Sequence, residues 1–327
     1  MNSVRQMGHV VGSVNGYLTL LVESLTERGV ESKIFATGGS EGDSAERTER
    51  IAQEIREAGL QIVFFHTSAS DQSAAGVAAL RAAPVQVNVN HGVEMDGELC
   101  EGFIHLTQNA MARSRFGSQP SVWIPPSSDI EKELESSTFQ TRESLGLATA
   151  NSVSATLSSP SSDRSIGFIR TIVEVLKRHP HHFHFLGAIT DVRAIRGLLH
   201  SEGVLPRIRF LGPNSQASPL LGAVDVFLAA FPDSNGNGVL EMMAAGKPVV
   251  ALRQGEDSEF NTAAELVGEK ELTPATAGEY LNLADRLIRD AAARSRLGDV
   301  MQKRFFMEFT PSRMADRYLD FAARLVK

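Results

Sequence analysis

The amino-acid sequence predicts an α/β protein built as two doubly wound domains, and three observations carry that expectation. Short apolar runs of strand length alternate with helix-length stretches along most of the chain. Residues 223–252 hold the clearest case: an apolar run at 225–230, a loop of small polar residues, an apolar helix at 239–245 and a second apolar run at 249–252. The 327 residues also exceed what one core usually serves, so two domains of ordinary size are expected.

Composition narrows the class. With 42% hydrophobic and 22% charged residues the chain reads as soluble and globular. A net charge of -7 argues against a general nucleic-acid binder, while leaving room for a local basic cleft that takes a diphosphate. Cys100 is the single cysteine, so no intrachain disulfide can form, which suits a reducing cytoplasm. Apolar runs such as 62–65 and 18–22 fall far short of the roughly 20 residues that span a bilayer, and the N-terminus lacks a signal-peptide apolar region. A cytoplasmic protein with no transmembrane segment is expected. No internal repeat is evident, which argues against a solenoid.

In chain order, residues 7–16 form a glycine-containing loop, and 17–28 an amphipathic helix with Leu18, Leu21, Val22 and Leu25 on one face. Gly29 ends that helix, and 33–37 is a short strand. The spacing leaves hardly any room for a full strand ahead of the loop, so a short first domain is expected. A helix at 45–59 and a buried strand at 60–66 follow, placing His66, Thr67 and Ser68 at the carboxyl edge where doubly wound sheets bind ligands. A helix at 74–82 leads to a strand at 85–89 that ends in Asn90, His91 and Gly92. That position puts an imidazole at the crevice rim, able to contact a sugar or take a proton from a hydroxyl, with Glu94 and Asp96 as alternative bases.

A strand at 102–107, a helix at 109–116 and a strand at 122–124 precede Pro125, Pro126 and an acidic tract, the expected exit from the first domain. The expected division is 1–135, 136–311 and a terminal helix at 312–327 that packs back on the first domain. In the second domain a strand at 154–157, a helix at 166–177, a strand carrying His182 and His184, a helix at 191–200 and a strand at 207–212 lead to the central loop. Four histidines between 179 and 184 invite a metal reading. The alternation of His182 and His184 with Phe183 and Phe185, without a nearby acid or cysteine, argues against it. Helices are expected at 281–297, 301–307 and 314–326.

The central loop carries the chemistry. Asn237 is a good N-cap for the helix at 239–245, Gly246 closes it and Pro248 prevents its continuation. A strand that runs through a Gly/Asn loop into a helix start presents free N–H groups and a positive dipole end, an anion site and most naturally a phosphate one. Asp233 before the loop and Glu241 one turn into the helix can close around one small polyhydroxylated or phosphorylated group.

This acid-x7-acid pattern, followed by M-A-A-G-K-P-V-V-A, resembles the E-x7-E segment of retaining GT-B glycosyltransferases, which are two facing Rossmann-like domains. The P-x-x-N-x-N-G portion is also similar to protein O-GlcNAc transferases and bacterial N-glycosyltransferases. The resemblance implies that Asp233 faces the donor sugar, Glu241 the nucleotide ribose, and Ser234, Asn235, Gly236, Asn237 and Gly238 the donor phosphates. It further implies that Gly12, Ser13, Asn15 and Gly16 line the cleft, that Gly212, Pro213 and Asn214 cup the base through their backbone, and that Phe260 lies near a sugar. Where the family commonly carries an Arg and a Lys for the diphosphate, this sequence has Ser159 and Arg164. The single retained cation is the expected clamp.

The function implied is transfer of a sugar from a nucleoside diphosphate sugar to an unidentified saccharide, lipid-linked glycan or protein acceptor, with no metal and no further cofactor. The alternatives are a GT-B-shaped inactive partner of an active glycosyltransferase and, less favoured, a sugar-nucleotide epimerase.

Overall fold

The computed structural model describes residues 4–12, 16–38, 44–68, 73–130, 134–135, 139–157, 165–187, 192–211, 218–232, 236–255 and 262–326. The chain divides into two compact units, Met1–Ser127 with Thr310–Lys327, and Ser128–Phe309.

The first unit is built on strands β1 (Gln6–Val11), β2 (Glu31–Ala36), β3 (Ile62–Ser68), β4 (Val85–His91), β5 (Gly102–His105) and β6 (Ser121–Trp123). They form one six-stranded sheet in the order β2-β1-β3-β4-β5-β6, every neighbouring pair parallel. Its helices are α1 (Gly16–Thr26), α2 (Ser44–Ala58), α3 (Ser73–Ala79), α4 (Gln108–Ala112) and, from the far end of the sequence, α11 (Pro311–Leu325). A strand does precede the first loop: Met7 to Val11 are buried in β1, so the expected lack of room for it is corrected.

Period-two alternation decides which helices cover which face. Ile62 and Phe64 join a core with Leu18, Leu21 and Leu25 of α1 and Met314, Tyr318 and Phe321 of α11. Val63 and Phe65, pointing the other way, join Ile51 and Ile55 of α2 and Val77 of α3. α11 starts from Thr310, whose side chain accepts from the Arg313 N–H, with Pro at the first turn. It is held by an Arg28 to Asp316 ion pair of 2.8 Å and by packing so close that a Cβ on Gly102 would meet Phe321 at 2.9 Å.

The second unit holds strands β7 (Ser152–Thr156), β8 (His182–Leu186), β9 (Ile208–Phe210), β10 (Val226–Leu228) and β11 (Val249–Val250). Its helices are α5 (Ile166–Arg178), α6 (Val192–Ser201), α7 (Gly236–Ala244), α8 (Thr262–Val267), α9 (Ala277–Arg289) and α10 (Ala291–Glu308). Its sheet runs β11-β10-β7-β8-β9, again parallel. The chain winds outward from β7 to β9, then restarts on the other side of β7 with β10, so strand order reverses between β7 and β10. In the first unit the reversal falls between β1 and β3. Open parallel sheets bind ligands outside the carboxyl ends at such reversals.

Two further expectations change. The helix expected at 281–297 is two helices, because Asp290 leaves the helical conformation and its carboxylate accepts from the Ala293 N–H, capping α10. The central helix begins at Gly236 rather than after Asn237: Gly236, Asn237 and Gly238 form its first turn. Gly246, at φ 67°, ends it.

The Gly246 carbonyl then meets Gly298 of α10 so closely that a Cβ there would overlap it. Gly298→Ala is expected to cost about 1–3 kcal/mol by overpacking. Urea unfolding checks this, with a lowered midpoint predicted and the helix content kept.

Candidate functional site

In the second unit two carboxyl-end exits and a helix start are packed together. Gly187, leaving β8, lies so near Leu157, leaving β7, that a Cβ on Gly187 would sit 3.0 Å from the Leu157 carbonyl carbon and 3.1 Å from its Cα. Gly238, in the first turn of α7, approaches the same residue, its absent Cβ lying 3.1 Å from Leu157 Cβ and 3.3 Å from the Phe227 ring. The glycines are the reason a helix start and two strand ends can share this spot.

The exit of β10 is held by side chains from neighbouring elements. The buried Tyr280 hydroxyl of α9 donates to the Ala229 carbonyl at 2.9 Å, and Gln254 Nε2 donates to the Pro232 carbonyl at 2.6 Å. Phe231, joined to Pro232 by a cis peptide, packs edge-on against Tyr280 and against Phe168 in the first turn of α5. Two helix starts, α5 and α7, therefore border the reversal between β7 and β10. Ser165, ahead of α5, makes no side-chain capping bond, and its fully buried Oγ has no hydrogen-bond partner among the described residues. The positive dipole ends of two helices suit an anion.

Of the candidates read from the sequence, the structure places Gly236, Asn237 and Gly238 in the first turn of α7 and Glu241 one turn on, partly exposed. Asp233, Ser234 and Asn235, with Ser159, Arg164, Gly212, Pro213, Asn214 and Phe260, lie outside the described residues.

The first unit has its own carboxyl-edge cluster. Gly12 follows β1 and its carbonyl accepts from the Gly38 N–H at 2.8 Å, while Gly16 opens α1 with open space where a Cβ would be. Ser13 and Asn15 between them are outside the described residues. His91, the last residue of β4, is partly exposed, and its Nε2 lies 3.0 Å from His66 Nδ1. His66 Nε2 in turn lies 3.3 Å from His9 Nδ1, and the Tyr17 ring stands edge-on to His91 at 5.6 Å. Burial lowers all three histidines: His9 to about 3, His66 well below its ordinary value with His9 and His91 adding to the effect, and His91 by burial alone. All three imidazoles are neutral at pH 7.

Sequence reasoning missed His9 and Tyr17 here, and Gly187 and Tyr280 in the second unit. His9 falls in the stretch that the sequence reads as a glycine-containing loop, and a partner 57 residues away leaves no local signal. The histidine cluster of β8 is structural. His182 bonds Ser152 Oγ and Ser154 Oγ, both at 2.8 Å, His184 Nδ1 meets Ser154 Oγ at 2.8 Å, and His179 Nε2 meets Asp285 at 2.6 Å.

Two doubly wound parallel units in one chain are the architecture of the GT-B fold. Residues 155–288 match the family described as glycosyl transferases group 1. Over 157 residues the chain is 28% identical to the lipopolysaccharide core biosynthesis glycosyltransferase LpsE of Rhizobium meliloti strain 1021. That match covers 47% of this chain and 45% of LpsE, so the chain matches less than half the length of that relative. Its fold is similar to a glycosyltransferase from Rickettsia africae (TM-score 0.74, 14% identity, 99% of both chains). It is likewise similar to HepE of Anabaena, solved with UDP-glucose (TM-score 0.67, 19% identity, 98% of this chain and 100% of that one). No helix among the described residues is long and apolar enough to cross a membrane.

The buried neutral histidines give stability a pH dependence of fixed sign. His9 and His184 are both lowered to about 3, so the unfolded chain takes up protons first as pH falls below about 6.5. Stability is full above that value and is lost on acidification towards pH 3, by up to about 1.4 kcal/mol per pH unit for each such group. His184→Asn, which can still bond Ser154, is expected to flatten the dependence by about that amount between pH 6 and 5, as read by urea unfolding at each pH.

Proposed function

We propose that the protein moves a sugar from a nucleoside diphosphate sugar to an acceptor, and that the diphosphate is received in the second unit where β7 and β10 part. The observation that carries this reading is the convergence of two helix starts and the glycine-lined exits of β7 and β8 on one strand reversal, within the stretch that matches the group 1 glycosyltransferase family. The UDP-glucose bound by HepE, a protein of the same fold, supports the donor class.

When the bond between sugar and diphosphate breaks, negative charge collects on the leaving phosphate. Fixed N–H groups and helix dipoles stabilise such charge without reorganising, the preorganised situation that lowers a barrier most. The first turn of α7, Gly236 to Gly238, and the start of α5 supply them, and Arg164 adds a bidentate cation. Charge met in this way leaves no step in the reading that calls for a metal. Asp233 orients the sugar hydroxyls, Glu241 takes the ribose, Ser234 and Asn235 line the phosphates, and the backbone at Gly212 and Asn214 meets the base. On the first unit His91 serves the sugar or the acceptor, beside Gly12, Asn15 and Gly16.

Calorimetric titration with UDP, GDP and ADP and their glucose forms tests the donor site. One of these nucleotides is expected to bind, with Glu241→Ala weakening it roughly 10- to 100-fold, the cost of one hydrogen bond to a charged group. Absence of uptake for every nucleotide would contradict the reading. Uptake without release of the diphosphate in the presence of candidate acceptors would favour a binding partner over an enzyme.

A further inference from the structure

Three of the four histidines of the first unit, His9, His66 and His91, form a chain that ends blindly. His9 is fully buried between Phe64, stacked on it at 5.3 Å, and the fully buried Tyr318, and its Nε2 has no hydrogen-bond partner among the described residues. The outer end is His91, whose Nε2 is used by His66 and whose Nδ1 takes no partner among the described residues. Rotation of the outer ring is restrained by Tyr17, edge-on to both His66 and His91, and Tyr17 is itself fixed by a 2.8 Å bond to the Tyr318 hydroxyl.

A neutral imidazole carries one N–H, so each ring can donate once. His66 has a neighbour on both nitrogens and one proton to place. It must therefore accept on one side and donate on the other, which leaves two arrangements for the whole chain. Pointing outward, His9 Nδ1–H donates to His66 Nε2, His66 Nδ1–H donates to His91 Nε2, and His91 is left with its proton on Nδ1. Pointing inward, every proton sits on Nε2, and the last one, on His9, is a buried N–H with nothing to receive it. Orphaned buried N–H groups are rarer in folded proteins than unfilled acceptors, so the outward arrangement is favoured.

We propose that His66 and His9 are positioning residues for His91, fixing its tautomer so that the one nitrogen it offers, Nδ1, carries the proton and donates to an oxygen of the bound sugar or acceptor. His91 is then a donor in the resting protein rather than the base that its strand-end position first suggests. The identity of that oxygen rests on the transferase reading; the tautomer does not.

Nitrogen NMR of the full chain labelled with 15N in its imidazoles reads the tautomer directly, His91 being assigned by the signals lost in His91→Gln. At pH 7 a protonated Nδ1 and an unprotonated Nε2 are expected for His91. His66→Leu should shift both towards a tautomer average, and His66→Asn, whose amide can donate from near the Nδ1 position, should restore the original pair. In sugar transfer, His66→Leu should lower kcat roughly 10- to 100-fold, the usual range for a partner that orients a histidine, with the donor KM unchanged and with recovery in His66→Asn. A protonated Nε2 on His91 in the unmodified protein, or a tautomer indifferent to His66→Leu, would overturn the proposal. The expected tautomer in a protein that transfers no sugar would instead count against the transferase reading alone.

Discussion

The close approach at Leu157 governs what the second unit can do. A parallel strand leaving a sheet normally carries side chains that keep the neighbouring helix start at a distance. Here the residues facing Leu157 from β8 and from α7 are Gly187 and Gly238, and atoms at 3.0 to 3.3 Å would occupy the volume of any larger residue. The consequence is electrostatic: the positive end of α7 lies against the strand exits, with no side chain on Gly238 to hold it away. Tyr280, Gln254 and Phe231 hold the adjoining exit of β10 in place through contacts within the same unit.

The first unit uses the equivalent edge differently. At its own strand reversal, between β1 and β3, the sheet carries imidazoles rather than bare backbone, and α11 closes over the inner end of their chain through Tyr318. Burial keeps those rings neutral, and neutrality in turn limits the proton arrangements they can share. The terminal helix thus does more than add apolar area. By bonding Tyr17 it sets the ring against which His66 and His91 rest.

Much of this was legible in the sequence because period and punctuation agree. The alternation of apolar runs with helix-length segments gave the α/β class, Gly29 and Gly246 mark helix ends, and the apolar positions of α1 and α11 are those that reach the core. The acid-x7-acid segment also carried the resemblance to a family whose model matches residues 155–288. What could not be read is long-range. The pairing of His9 with His66 depends on strand register across 57 residues, and the crowding at Leu157 on glycines 30 and 81 positions away. Helix breaks were misplaced where one aspartate both ends a helix and caps the next, as at Asp290, since the apolar pattern continues through it.

The most direct measurement of the central claim is amide hydrogen exchange across the whole chain, with and without a saturating nucleoside diphosphate. The account predicts slowed exchange at the first turn of α7, in the amides of residues 236–240, and at the exits of β7 and β8 around Leu157 and Gly187. Protection confined to other segments, or a bound nucleotide that leaves residues 236–240 unchanged, would contradict it.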